Sequence, residues 1–75
     1  MKTETAIRNY VQRIHGFTWV TEIAQHTIWG FKGASFKSFN RAVAKVRAVI
    51  DQMTAEGLVE VVPYHGYQDQ IYYRR

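Results

Sequence analysis

Apolar residues recur at alternating intervals of three and four through the middle of the chain, a spacing that places them on one side of an α-helix. The pattern predicts a helix from Phe36 to about Ala55 that stops at Gly57, since glycine most easily adopts the left-handed backbone of a helix terminus. Its buried side is predicted to be formed by Phe36, Phe39, Val43, Val46, Ile50 and Met53. That side should pack against the rest of the domain.

Two shorter helices are predicted before this one. The first runs from Glu4 to His15 with Gly16 as its stop, and the second runs from about Trp19 to Thr27. Their apolar faces are formed by Ile7, Val11, Ile14, Val20, Ile23 and Ala24. The residues between the two helices are aromatic and β-branched, which fits either a short strand or the approach to the second helix.

The C-terminal part of the chain is typical of two short strands. Leu58 to Val62 is β-branched and ends at Pro63, and residues 70–73 would return as a second strand after a turn. The expected order is helix, short strand, helix, helix, strand, strand. The sequence therefore predicts a single domain over residues 1–75, mainly α with a small β-hairpin.

Length and composition narrow the class of protein. Seventy-five residues support one small core, which leaves dimerisation open. The chain has no cysteine, so disulfides and thiolate zinc sites are excluded. It has no long apolar run, and its first residues lack the apolar core of a signal peptide. We therefore expect a cytoplasmic protein that does not enter a membrane.

The charges are distributed unevenly along the chain. The net charge is +4, and between Ile23 and Ile50 there are five basic residues and no acidic one. Between Asp51 and Asp69 there are four acidic residues and no basic one. The folded molecule should be electrically polarised, with one face that attracts a polyanion.

The chain resembles a winged helix-turn-helix domain in three stretches. Residues 20–24, Val-Thr-Glu-Ile-Ala, are similar to the second helix of such domains. Residues 46–59 resemble the end of the recognition helix running into the first wing strand, and residues 64–73 resemble the wing. The resemblance implies a recognition helix at about 36–55 and a wing at about 63–70. Three features depart from it. The link between the second and third helices is about seven residues long, the third helix begins early, near Phe36, and is longer than most recognition helices, and the wing tip is poor in lysine and arginine.

A cationic stripe lies opposite the apolar side of the long predicted helix, with its charges four residues apart. Our candidate DNA-binding residues are Lys37, Ser38, Asn40, Arg41, Lys45 and Tyr67. Arg41 is the candidate for reading guanine, because its planar fork can contact two base atoms, and Asn40 could pair with adenine although it leans toward the core. Ser38 and Ala42 match the exposed part of a recognition helix, and Tyr67 could stack on a base.

Other residues favour a structural role or a second kind of partner. Arg47 and Asp51 are spaced for a surface ion pair. Most aromatic residues are expected in the core, but Phe17, Trp29 and Phe31 flank loops, and an exposed pair would favour a dimer or a partner surface. The histidines share no metal-ligand spacing, and no nucleophile or phosphate-loop motif is present. We therefore expect no enzyme, no cofactor and no metal.

These patterns favour a small, sequence-specific protein that binds double-stranded DNA, as a transcriptional regulator or a recombination-directionality type of factor. The alternative is a winged-helix protein-interaction module, an inhibitor or adaptor that binds its partner through exposed aromatic residues. The basic helix favours the first hypothesis, while the weak wing, the long link between the second and third helices and the acidic stretch after Ile50 favour the second.

Overall fold

The structure is mainly helical, with one small antiparallel sheet. The computed structural model describes residues 2–27, 36–64 and 69–74, with the backbone alone for residue 2 and residues 36–38. Its elements in chain order are α1 (Lys2–Arg13), β1 (Phe17–Thr18), α2 (Val20–Thr27), α3 (Phe36–Ala55), β2 (Val59–Val62) and β3 (Gln70–Tyr73). The predicted order and the bounds of α3 are confirmed. The predicted link and wing tip, at 28–35 and 65–68, lie outside the described residues.

The sheet has three strands rather than the two of the predicted hairpin. Its order is β1-β3-β2, because the short strand β1 pairs with the far side of β3. In register, Phe17 and Glu60 lie on either side of Tyr72, and Thr18 and Val61 lie on either side of Ile71. Side chains alternate between the two faces of a sheet, so the row around Ile71 faces the core and the row around Tyr72 faces outward.

One apolar core joins all three helices to the inner face of the sheet. Val46, Ile50 and Met53 of α3 are buried as predicted, whereas Phe39 and Val43 are half-buried at the edge of the core. The described core consists of Ile7, Val11, Val20, Ile23, Ala24, Ala42, Val46, Val49, Ile50, Met53, Val59 and Ile71. The buried side of α3 is therefore rotated toward Ala42 and Val49 from the side that the sequence predicted.

The C-terminus of α3 is closed by two backbone hydrogen bonds. Gly57 N–H donates to the carbonyl of Thr54 at 3.0 Å, and Leu58 N–H donates to the carbonyl of Met53 at 2.9 Å. Gly57 has a φ of 80°, which confirms its predicted left-handed conformation. This turn sends the chain directly into β2. None of the helices in the described residues is long and apolar enough to cross a membrane.

Candidate nucleic-acid interface

Two cations of α3 lie on one solvent-exposed flank of the helix. Arg41 and Lys45, which we call the cationic flank, are four residues apart and both exposed. Ala42 and Val46 follow them in the sequence and are 4% and 0% exposed, which fixes the rotation of the helix. Within the described residues, neither cation has an ion-pair or hydrogen-bond partner. Both charges are therefore available to an anion from solution.

The structure describes the side chains of three of the six predicted DNA-binding residues. Asn40, Arg41 and Lys45 are exposed on α3. Lys37 and Ser38 lie in its first turn, but their side chains are among those not described, and Tyr67 lies outside the described residues. Asn40 does not lean toward the core as predicted, because the rotation of α3 toward Ala42 turns it into solvent. It is therefore available to the surface on which it was predicted to act.

Ala42 was predicted to lie on the exposed part of the recognition helix. That prediction is wrong, because Ala42 is buried. The small exposed residues of α3 are instead Ala44 and Ala48. At about 100° per residue, these two alanines lie between the cationic flank and the side that carries Asn40. Sequence reasoning missed them because an alanine gives no hydropathy signal, although their spacing from Arg41 could have located them. Because their side chains are short, a ligand can approach the helix closely in the middle of the exposed surface.

The predicted ion pair between Arg47 and Asp51 is wrong. Both side chains are exposed, and no salt bridge joins them in the described part of α3. Exposed pairs gain little from contact because water screens the charges and ordering two long side chains costs entropy. Within the described residues, Arg47 is therefore a third unpaired cation of α3, on the side of the helix nearer to Asn40.

Arg8 on α1 is a cation with a structural role, because it forms ion pairs with two carboxylates. Its Nε donates to Glu4 at 2.9 Å, and its two terminal nitrogens donate to the Glu56 carboxylate at 2.7 and 3.1 Å. The hydrogen bond to Glu56, followed by the one to Glu4, raises the pKa of Arg8 above its ordinary value. The same contact with Arg8 lowers the pKa of Glu56. Arg8 thus ties α1 to the end of α3 and is not available to an external anion.

A polar network holds α1 against α2. Thr18 Oγ1 donates to Glu22 at 2.6 Å, and the Tyr10 hydroxyl donates to the same carboxylate oxygen at 3.4 Å. Burial, and then the charge of Glu22, raises the pKa of Tyr10, so the hydroxyl keeps its proton. His26 stacks on Tyr10 with ring centroids 5.3 Å apart, beside an open cleft of about 340 Å³. These contacts position α2, which packs against α3.

A second surface is formed by four aromatic side chains, two of them in strands on the outer face of the sheet and two in the residues that follow β1 and β2. We call Phe17, Trp19, Tyr64 and Tyr72 the aromatic face. Phe17 meets Trp19 edge-on at 4.9 Å and Tyr72 at 6.0 Å, and Trp19 meets Tyr64 at 5.5 Å. Phe17, one of the three aromatic residues that flank loops in the sequence, is 40% exposed, and Tyr64 is 41% exposed. The cluster was missed because β1 is two residues long and its pairing with β3 is not a local feature of the sequence.

Neither a metal centre nor a known relative assigns a function to these surfaces. Among the described residues, no three histidine, aspartate or glutamate side chains come together in a way that could hold a metal ion. Comparison of the chain with protein-family models, curated proteins and solved structures found no match.

Proposed function

We propose that this protein binds double-stranded DNA through the exposed side of α3, in a sequence-specific manner, as a transcriptional regulator or a recombination-directionality type of factor. The observation that carries the proposal is the cationic flank. Arg41 and Lys45 are exposed and, within the described residues, have no protein partner, whereas Arg8 has two. A cation that contributes nothing to its own fold is available to a phosphate, and each such contact releases a counterion from DNA.

The architecture also supports the proposal. Three helices followed by a hairpin, with a β1-β3-β2 antiparallel sheet, are compatible with a winged helix-turn-helix layout. In that layout α3 would be the recognition helix and the segment between β2 and β3 would be the wing. The core holds α3 along its buried side, so the exposed side is presented by a rigid element.

The residues of the exposed side divide into two roles under this proposal. Arg41 contacts a guanine edge and Asn40 an adenine edge, because each side chain has a pair of hydrogen-bonding atoms that matches one base. Lys45 contacts a phosphate and sets the register without reading sequence. Ala44 and Ala48 let the helix sit close to the groove floor.

Titration of a labelled mixed-sequence duplex at several salt concentrations tests the proposal. We expect the Arg41→Ala/Lys45→Ala variant to bind more weakly and to flatten the plot of log affinity against log salt by about 0.9 units, because Lys45 contacts a phosphate and Arg41 contacts a base. Arg13→Ala/Arg74→Ala is the matched control, because it removes two exposed cations that lie outside α3. Equal losses in the two variants would mean that net charge alone drives binding, and the proposal would fail.

The aromatic face supports a second candidate function, the winged-helix protein-interaction module. Exposed aromatic clusters are typical of protein interfaces. If the α3 variant binds duplex DNA as tightly as the parent, this candidate becomes the better one.

A further inference from the structure

The exposed side of α3 changes sign along its length. The cationic flank and Arg47 come first, Asp51 follows one turn after Arg47, and no lysine or arginine follows in the helix. The other carboxylate near this end, Glu56, is bound by Arg8. Asp51 is exposed and, within the described residues, has neither an ion pair nor a hydrogen bond. It therefore presents a carboxylate to the solvent directly beside the cations of the helix.

Helical geometry places Asp51 in line with the predicted base-reading residues. At about 100° per residue, Asp51 lies within about 20° of both Asn40 and Ala44 around the helix. It lies about 40° from Arg47 and about 6 Å farther along the axis, whereas the cationic flank lies about 80–120° away. The carboxylate therefore faces the same ligand as Asn40, and it offsets the charge of Arg47 more than that of the cationic flank.

The fold gives no reason for an aspartate at this position. Asp51 lies in the C-terminal half of α3, where the helix dipole gives a negative side chain no stabilisation. Aspartate is also among the poorer helix formers. Within the described residues it joins no two elements, unlike Glu56. We therefore expect Asp51→Asn to fold and melt as the parent does.

We propose that Asp51 makes DNA binding by α3 selective, because it repels the phosphate backbone of duplexes that lack the preferred sequence. This role rests on the proposed function and extends it to the choice between sequences. Without base contacts, binding depends on phosphate contacts alone, and the helix takes many positions on the duplex. Some of these positions bring phosphates to Arg47 and Asp51, where the carboxylate opposes binding.

The preferred sequence avoids this repulsion. Contacts of Asn40 and Arg41 with base edges hold the helix in one position, in which a phosphate lies against the cationic flank. That flank is far around the helix from Asp51. The carboxylate therefore weakens binding to other sequences more than binding to the preferred one.

Affinities for a mixed-sequence duplex and for a duplex selected from a random library test the role of Asp51. At low salt we expect Asp51→Asn to bind the mixed-sequence duplex about three- to ten-fold more tightly, as for a charge removed several ångströms from one or two phosphates. The gain on the selected duplex should be smaller, so the ratio of the two affinities falls. Glu60→Gln is the matched control, because it removes the same charge from the outer face of the sheet and should leave the ratio unchanged.

Arg47 provides a second readout that a change in net charge would not give. Arg47→Ala should weaken binding of the mixed-sequence duplex more in the Asp51→Asn background than in the parent. In the parent, the positions that bring phosphate to Arg47 also bring it close to Asp51, so they are little used. Equal losses in the two backgrounds would contradict the proposal.

Three results on the affinity ratio would also overturn the proposal. An unchanged ratio in Asp51→Asn would make Asp51 a solvated charge, and an equal fall in Glu60→Gln would make net charge the cause. A loss of affinity confined to duplexes with cytosine at one position would show that Asp51 accepts a hydrogen bond from that base. The proposed function fails on a different result, equal losses in Arg41→Ala/Lys45→Ala and its control, so the two failures are distinguishable.

Discussion

The two ends of α3 use charge in different ways. At the C-terminal end, Glu56 binds Arg8 with two hydrogen bonds, and Gly57 closes the helix through the backbone. Nearer the N-terminus, Arg41 and Lys45 are exposed and, in the described residues, bind nothing. The difference shows that this fold pairs Arg8, which joins α1 to the end of α3 as well as bonding to Glu4 in its own helix. It leaves cations unpaired on the exposed side of α3, since the core already holds the opposite side of the helix in place.

The largest expected effect tests whether the core supports both ends of α3. Ile50 is 3% exposed and lies between them, so Ile50→Ala leaves a cavity and should lower the free energy of unfolding by about 2–5 kcal/mol. Urea denaturation measures the change. Gln52→Ala, at an exposed position one half-turn away, is the control and should change stability by less than about 0.5 kcal/mol. If Ile50→Ala were as stable as the parent, the described packing of α3 would be wrong.

The next effect tests whether Arg41 and Lys45, nearer the N-terminus of α3, have different roles in DNA binding. After selection of a preferred duplex from a random library, Arg41→Ala should lose about 1–3 kcal/mol of discrimination at one base pair, because a two-atom contact to guanine is lost. Lys45→Ala should instead weaken binding to all sequences alike, since a phosphate contact carries no sequence information. Affinities for the selected duplex and its single-base variants measure both changes. A uniform loss in both variants would show that Arg41 contacts phosphate.

A smaller effect is expected at the closed end. Gly57 has a left-handed backbone and no atom within 4 Å of where a side chain would begin, so the cost of a substitution there comes from the backbone alone. Gly57→Val should lower the free energy of unfolding by at least about 1 kcal/mol. Gly57→Asn should be tolerated better, because asparagine adopts this conformation more readily. Thermal denaturation of both variants checks this, and equal stability of Gly57→Val and the parent would contradict it.

Much of this architecture follows from local pattern, and the rest does not. The three-four spacing placed α3, and Gly57 placed its end. The rotation of α3 was predicted wrongly because hydropathy weights Phe39 and Val43 above Ala42, although Ala42 is buried and the two larger residues are only half-buried. The contact of Arg8 with Glu56 joins positions 48 residues apart, so no local spacing could reveal it.

The candidate site was predictable to a similar degree. Helical spacing put Arg41 and Lys45 on one flank, and both are exposed. The aromatic face required knowledge that β1 pairs with β3, which brings Phe17 beside Tyr72. A two-residue strand has too little pattern to predict its partner. Long-range pairing therefore accounts for most of what the sequence did not reveal.

The smallest expected effect is the pH dependence of the stability that the ion pair between Arg8 and Glu56 contributes. Because Arg8 lowers the pKa of Glu56 below its ordinary value of 4.5, the ion pair stabilises the fold above that pH, and its contribution is lost as the pH falls through the lower folded-state pKa. Glu56→Gln should therefore melt below the parent at neutral pH, and the difference should shrink in acid. The control is Glu60→Gln, which removes an exposed carboxylate that forms no ion pair in the described sheet. A pH-independent difference would contradict the assignment.

The most direct test of the central claim is a ¹H–¹⁵N NMR titration of the unaltered chain with duplex DNA at low salt, read at the arginine Nε–H signals and the backbone amides. We predict that Arg41 Nε–H and the amides from Asn40 to Ala48 shift, while Arg8 Nε–H does not, because it already donates to Glu4. Shifts centred on Arg8 or on the aromatic face, or no shift at any residue, would contradict the claim that the exposed side of α3 binds DNA.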